Sequence, residues 1–383
     1  MNVLVCAHKF FPLAGGAQVY AALLANGMVR EGCSVKLVTE TREGEEEDSR
    51  YCFEVVRKPR LLGLWRLIGD ADIVQLTGPI LLPLMIAVWR RKPVVIEHHG
   101  YQAICPNGLL FYEPTKTICP GHFMARRYHK CLRCAANGQG WGLGVRFVLS
   151  TFLRRGLCHL ATVNAPITHH VESRLRLPRS KVIYYGVPDP AVLSMPLAPF
   201  PSVPPWLAYV GRLVSEKGLL LLVEAVRRLI DQGRDVRLRM VGEGPERGRL
   251  EATVKANGLE ERVVFTGHLH GTALQDATRG VTAIVMPSIW EETAGLAAME
   301  HMMRGGAVVA ADVGGLGEIV DGTALKFPCG DVDGLLACLC RLLDEPDLGR
   351  KLGQRARVRA TELFAEKRMI REHLDLYARL LRE

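Results

Sequence analysis

The chain has 383 residues, 48% hydrophobic and 23% charged, with a formal net charge of +9. That length and composition suit two globular domains with separate cores, and exclude a disordered or collagen-like chain. The longest apolar run, Ile80 to Trp89, is too short to span a membrane and ends in Arg90-Arg91-Lys92. The positive charge comes with no recognition-helix pattern, RNP motif or basic tail, so nucleic acid is not the expected partner. It suits a phosphate-bearing substrate or the anionic inner face of a membrane.

In chain order, Met1 to Ala7 lacks the basic start and cleavage site of a signal peptide and reads as a first strand, which places the protein in the cytoplasm. Further strands are expected at Val35–Val38, Ile73–Leu76, Val94–Glu97, Leu160–Val163 and Val182–Tyr184, with helices such as Gln18–Glu31 and Val145–Arg155 between them. A Pro-rich break follows from Val187 to Pro205. The second half repeats the pattern, with strands at Leu207–Val210, Arg237–Val241, Val263–Thr266, Ala283–Met286 and Val308–Ala310. Helices are expected from about Glu216 to Asp231, Arg247 to Ala256 and Ala294 to Met303, then a final helical run from Asp347 to Arg382.

Such alternation predicts an α/β protein of two doubly wound, Rossmann-like parallel-sheet domains facing a cleft, with ligands at the strand C-termini. The expected division is 1–186 for the first domain, 187–205 for the linker and 206–365 for the second. A C-terminal helix, 366–383, is expected to pack back on the first domain.

Several short segments carry chemistry. Gly15-Gly16 links the first strand to the first helix, where backbone amides can approach a phosphate. Neither GxGxxG nor GxxxxGK[ST] is present there, so dinucleotide and P-loop readings lose support. Glu97-His98-His99-Gly100 ends the fourth strand; neighbours on a strand point oppositely, so one histidine is expected to face the ligand side. Gly211-Arg212 and Lys217 follow the first strand of the second half, a guanidinium fork and a point charge suited to a diphosphate, with a surface pair to Glu216 as the plain alternative.

Eleven cysteines are present, and four of them, Cys105, Cys119, Cys131 and Cys134, share a Gly/Pro/Asn-rich insertion at 100–140. A loop that long needs a staple, and a structural zinc on these four is one expectation, with unmetallated thiols as the other. Further on, Glu292 and Glu300 have seven residues between them across a turn that opens a helical run. Helical rise would set the two carboxylates about 12 Å apart, suited to gripping two ends of an extended ligand. The N–H groups of Ala294, Gly295 and Leu296 would then face an anion.

Taken together, these segments resemble the family-4 retaining glycosyltransferases (glycosyl transferases group 1). The resemblance runs through Gly15-Gly16, His99, Tyr185-Gly186-Val187-Pro188, Gly211-Arg212 and Lys217. It continues through Val241-Gly242-Glu243-Gly244-Pro245, Phe265-Thr266-Gly267, Met286-Pro287-Ser288, Glu292 to Glu300, and Gly314-Gly315-Leu316-Gly317-Glu318. It implies the GT-B fold and transfer of a sugar, with retention, from a UDP- or GDP-sugar to a glycan or lipid-linked acceptor in cell-surface polysaccharide or glycolipid synthesis. By the same resemblance Arg212 and Lys217 neutralise the leaving diphosphate, Glu292 contacts the transferred sugar and Glu300 holds the ribose. Gly16 lies near the phosphate, His99 near the sugar ring, and Gly267 at the base pocket; Gly15, Gly211, Gly242, Ala294, Gly295 and Leu296 complete the donor site. No cofactor is required for catalysis on this reading, because the cations replace a divalent metal.

Four departures from the family pattern stand out: Ala294 for Phe, His301 for Ala, Gly305-Gly306-Ala307-Val308 for Gly-x-Pro-Val, and Cys33 where the family often has His after Gly32. They leave donor identity open and point to Ala294 and His301 as its determinants. Basic and bulky apolar residues at Arg57–Arg66 and Trp141–Leu160 suggest peripheral membrane contact. The alternatives are a sugar-nucleotide epimerase or phosphorylase of the same fold, or a non-catalytic metal-binding scaffold built on the four cysteines.

Overall fold

The computed structural model describes residues 1–12, 15–136, 140–189 and 204–382. The chain divides into two compact units, Met1–Thr115, Cys119–Gly186 and Glu366–Glu383 in one, Lys116–Ile118 and Val187–Ala365 in the other. Most of the Pro-rich linker expected at 187–205 lies outside the described residues.

The first unit begins with β1 (Asn2–Ala7), α1 (Gly16–Arg30), β2 (Ser34–Thr39), β3 (Glu54–Arg57), α2 (Leu61–Asp70), β4 (Ile73–Leu76), α3 (Leu81–Trp89) and β5 (Val94–His98). The short strands β6 (Phe111–Tyr112) and β7 (Thr117–Ile118), the latter in the segment assigned to the second unit, precede α4 (Tyr128–Ala136), α5 (Trp141–Leu160), β8 (Val163–Pro166) and α6 (His169–Leu175). Among the described residues six strands form one parallel sheet in the order β3-β2-β1-β4-β5-β8. The central strands β1, β4 and β5 are apolar almost throughout and buried, as strands covered on both faces must be.

The second unit runs β9 (Trp206–Val210), α7 (Leu219–Asp231), β10 (Arg237–Val241), α8 (Arg247–Ala256), β11 (Val263–Gly267), α9 (Gly271–Thr278) and β12 (Ala283–Met286). It continues with α10 (Leu296–Met303), β13 (Val308–Ala311), α11 (Gly314–Ile319), β14 (Leu325–Phe327), α12 (Val332–Asp344) and α13 (Pro346–Leu363). Its parallel sheet has the order β11-β10-β9-β12-β13-β14. In each sheet the order reverses beside the first strand, between β1 and β4 and between β9 and β12. Ligands of such sheets gather at that reversal, beyond the strand C-termini. Both domains are therefore Rossmann-like parallel-sheet domains, the α/β class read from the sequence.

The last helix, α14 (Glu366–Leu380), belongs to the first unit and packs on α1. The fit is close: a Cβ on Gly27 would collide with the Ile370 side chain. The single helical run expected from Asp347 to Arg382 is thus two helices. They break at Phe364-Ala365, where the Phe364 carbonyl accepts from Val187 N–H at 2.8 Å.

Other expectations shift. The strand expected at Leu160–Val163 is β8, three residues later, because α5 continues to Leu160 and the Arg179 side chain caps its end through the Ala161 carbonyl at 2.9 Å. Residues 182–184 are not a regular strand. They follow a stretch that runs beside β8, with Lys181 N–H donating to Asn164 O and Ile183 N–H to Pro166 O. Strands β3 and β14 at the sheet edges carry no strong apolar signal and were not expected.

Candidate active site

In the second unit, the turns leaving β9 and β12 lie on either side of the strand-order reversal. Gly211 leaves β9 with φ 151°, and its N–H donates to the Val241 carbonyl at 3.0 Å. Gly242 leaves β10 with φ 142°; a Cβ there would collide with the Gly211 carbonyl, so only glycine lets the two turns touch. Gly242 N–H in turn donates to Gly267 O at 2.8 Å. Gly211, Gly242 and Gly267 thus form one shelf of backbone at adjacent strand ends.

Lys217 does not open a helix as expected. It closes a single 3-10 turn, Ser215–Lys217, and Gly218 leads from there into α7. Its ammonium donates to Glu292 Oε1 at 2.6 Å and stands 5.5 Å from the centre of the Trp290 ring. The Ser288 hydroxyl donates to the same Glu292 oxygen. Glu292 is 3% exposed, and a carboxylate buried so deeply needs these partners to remain charged. Its backbone is clamped too, since its carbonyl accepts from Gly315 N–H at 2.6 Å. Gly314, with φ 60°, passes so close that any Cβ would collide with the Glu292 backbone.

Arg212 is placed differently. Its side chain is 66% exposed, and a guanidinium nitrogen lies 3.8 Å from the Glu216 carboxylate. The surface pairing with Glu216 is the arrangement found, with the guanidinium in solvent at the end of β9. Lysine and arginine, six positions of chain including both ends, therefore differ in freedom: one is locked on an acid, the other can swing to an anion.

Helix α10 starts at Leu296, with Gly295 at φ 135° as its N-cap and no side-chain cap. The uncapped amides are those of Leu296, Ala297 and Ala298, so of the three expected only Leu296 is among them. Glu292 precedes the helix in the loop, so helical rise does not set its distance from Glu300. Glu300 lies on α10, where burial raises its carboxyl above the ordinary value while Arg304 pulls it down. Ala294 is buried.

The reading of His301 as a donor determinant is corrected. His301 is buried on α10, its imidazole pressed against Gly306 so that a Cβ there would collide with Nε2. Burial lowers the ring from 6.5 to about 4, and it is held neutral in the core. The departures at 301 and 306 are thus one packing solution: a large ring where a small residue is usual, and a glycine beneath it.

In the first unit, Gly15 is the extended N-cap of α1 and Gly16 its first residue; Leu13 and Ala14 lie outside the described residues. His98 and His99 separate as strand neighbours do. His98 is fully buried against Asn164 Oδ1 at 2.9 Å, and burial lowers it to about 4. His99 keeps slight exposure; Nδ1 meets the Tyr185 hydroxyl, and Nε2 is 3.3 Å from Glu97 Oε2. Ser288, Trp290, Tyr20 and His373 were not among the expected site residues. Ser288, four residues before Glu292 and next to Met286-Pro287, carried a signal in the sequence; His373 carried none.

Cys105, Cys119 and Cys131 are buried, Cys134 is partly so, and all four are free thiols. Burial, with the other three thiols adding to it, pushes Cys131 up to about 12, and Cys105 is raised as far. The Asn107 side chain bridges two of them, accepting from Cys105 Sγ at 2.9 Å and donating to Cys134 Sγ at 3.5 Å. Among the described residues no group of three or more His, Cys, Asp or Glu is placed to hold a metal ion. The four cysteines of the expected zinc set are gathered in one region, with the Asn107 amide bonded to two of them.

Two family models match the chain, "Glycosyltransferase Family 4" over residues 14–189 and "Glycosyl transferases group 1" over residues 204–345. A 2-deoxystreptamine glucosyltransferase of Streptomyces kanamyceticus is 39% identical over 144 residues, 37% of this chain and 37% of that protein. The chain thus spans well under half the length of that relative. Among solved structures, sucrose-phosphate synthase from Thermosynechococcus elongatus superposes with a TM-score of 0.73 at 20% identity, covering 99% of this chain and 98% of that one. Anabaena HepE, solved in complex with UDP and glucose, gives 0.70 at 16% identity over 98% and 99%. At such identities these two structures speak for the fold alone. With both halves of the chain matched by family models and the motifs in place, the chain belongs to the family-4 (group 1) glycosyltransferases of GT-B fold.

Proposed function

We propose that the protein is a retaining glycosyltransferase that moves a sugar from a UDP- or GDP-sugar to a glycan or lipid-linked acceptor. The observation that carries this reading is the Lys217–Glu292 pair, joined by Ser288 and braced by Gly314-Gly315, at the strand-order reversal of the second sheet. Breaking a glycosyl–phosphate bond leaves negative charge on the diphosphate and positive charge on the sugar ring. Lys217 and Arg212 meet the first, together with the uncapped amides of α10; the Glu292 carboxylate meets the second. Groups fixed before the reaction do this without reorganising, which is where most electrostatic catalysis arises. Glu300 takes the ribose hydroxyls, and the Gly211–Gly242–Gly267 shelf admits the nucleotide close to backbone. Retention follows if the acceptor attacks from the face the diphosphate leaves, the departing phosphate taking the acceptor's proton.

The acceptor side draws on the first unit. There α3 packs beside both α2 and α5, and these three helices hold most of the large apolar side chains left exposed among the described residues. Leu62, Trp89, Trp141 and Leu149 are each more than 60% exposed, with Arg60, Arg66, Arg91 and Arg146 exposed around them. No described helix is long and apolar enough to cross a membrane. A basic, apolar face of this kind suits peripheral contact with an anionic bilayer and an acceptor held in it.

A thermal-shift screen with UDP-, GDP- and ADP-sugars tests the donor half. A sugar nucleotide at 100 times its dissociation constant should stabilise the fold by about 2.7 kcal/mol. No shift with any of them, on protein shown to be folded, would sink the reading.

A further inference from the structure

Beneath His99 lies a charged cluster that neither the donor site nor the fold requires. Glu97, at the end of β5, is 1% exposed, and His373 of α14 is fully buried. His373 Nε2 is 2.7 Å from Glu97 Oε1, and its Nδ1 is 2.9 Å from the Met369 carbonyl oxygen. The Tyr20 hydroxyl donates to the same Glu97 oxygen. Glu97 is held at about 2 in spite of burial, because His373 and His99 both lower it. Both His373 nitrogens face acceptor oxygens, Glu97 Oε1 and the Met369 carbonyl, and the Tyr20 hydroxyl lies 3.3 Å from Nε2. A fully buried carboxylate–imidazole pair is seldom the most stable filling for such a space, since apolar residues of similar volume usually do as well.

The other Glu97 oxygen shows what the pair can do. Oε2 lies 3.3 Å from His99 Nε2, a contact at ion-pair distance that falls short of hydrogen-bond geometry. A hydrogen on His99 Nε2 is the arrangement that a facing carboxylate favours. Nδ1 is then left as the acceptor, on the side where the Tyr185 hydroxyl meets it. Tyr20 and Tyr185 close the cluster, with the Tyr20 ring 5.0 Å from the His99 ring and 4.8 Å from that of Tyr185. Every group that faces Glu97 is accounted for: Tyr20 on α1, His99 after β5, and His373 on α14, with Tyr377 of α14 bonded instead to Gln75 at 2.8 Å.

We propose that Glu97 and His373 are positioning residues for His99, and that through Glu97 the C-terminal helix sets the tautomer of its ring. An outer carboxylate fixing the tautomer of a working imidazole is the same device that orients metal-bound histidines. The role given to His99 rests on the glycosyltransferase reading above; the tautomer itself does not.

Two measurements test it on the full-length protein. In the first, histidine 15N spectra of the wild type, Glu97→Gln and His373→Gln report the His99 tautomer directly. The wild type should show a single Nε2–H form, and each variant should show a changed or mixed one. If Glu97→Gln does not fold, His373→Gln alone carries this arm. Unchanged His99 signals in a folded variant would overturn the proposal. The second measurement is sugar transfer. His373→Gln should lower kcat about 10-fold with the donor KM within about 2-fold, and should cost nothing further in a His99→Ala background. A full, additive loss in that background would mean a merely structural role. Wild-type protein that binds no sugar nucleotide would defeat the functional reading, and the spectra would still decide the tautomer.

Discussion

The ammonium of Lys217 and the carboxylate of Glu292, 75 residues apart in the chain, meet at 2.6 Å. The pair is nearly closed to solvent, with the lysine side chain 15% and the glutamate 4% exposed. A diphosphate entering the site would take over part of the lysine's bonding. Lys217→Ala should therefore lower kcat by roughly 10²–10³, the loss typical of one fixed donor at a developing charge. Nucleotide affinity should change much less. Glu292→Gln should also act on kcat, and the double variant should lose less than the two single losses combined, because the partners share one bond. Kinetic constants for the three variants check this; strictly additive losses would contradict it.

On the proposed reading, Glu300 holds the other end of the donor. Glu300→Ala should weaken nucleotide binding about 10-fold, as loss of a charged hydrogen-bond acceptor does, with turnover of bound donor largely kept. Calorimetric titration with the nucleoside diphosphate is the direct measurement. A loss confined to kcat would reverse the roles assigned to the two acids.

Gly314→Ala should disturb the site without touching the ligand. Its φ of 60° and the nearness of the Glu292 backbone leave no room for a Cβ. Strain and displacement together should cost about 1–3 kcal/mol of stability, read from urea denaturation. Activity should fall further than that cost explains, since the Glu292 loop moves with it. Unaltered kinetics in this variant would show that the clamp does not place Glu292.

Acid should destabilise the fold in two steps. Burial holds His98 and His301 at about 4 in the folded chain, against 6.5 in the open one. Between those values the unfolded state binds more protons, so stability falls as pH drops from about 6.5 to about 4. Glu97, lowered from 4.5 to about 2, adds a second loss across that lower window. His301→Leu should flatten the upper slope and leave the lower one. Urea midpoints measured from pH 7 to pH 3 would show both slopes, and an upper slope unchanged in this variant would remove His301 from the account.

The apolar face of α2, α3 and α5 gives a fifth test. Co-sedimentation with vesicles containing phosphatidylserine should exceed that with phosphatidylcholine alone and should weaken with salt. Leu62→Glu with Trp89→Glu should abolish it while sugar-nucleotide binding stays intact. Equal binding to both vesicle types would argue against the basic rim.

The sequence by itself determined the architecture. Buried parallel strands such as Ile73–Leu76 and Ala283–Met286 are continuous apolar runs, and the helices between them alternate with period, so both sheets were legible in one dimension. Gly211, Gly242 and Gly314 were legible too, as glycines in motifs, because a turn that touches another backbone tolerates nothing else. The edge strands β3 and β14 were not, since a half-covered strand of mixed residues has no distinctive pattern. Only the tertiary structure decided which charges meet. Lys217 and Arg212 look alike in the chain, yet one is bonded to Glu292 and the other stands in solvent. The same fold seats His301 in the core against Gly306 and bonds Asn107 to two of the four clustered cysteines. His373 had no local signal at all. Its partner Glu97 is 276 residues away, and electrostatics in a buried site depends on distance and desolvation, neither of which is written along the chain.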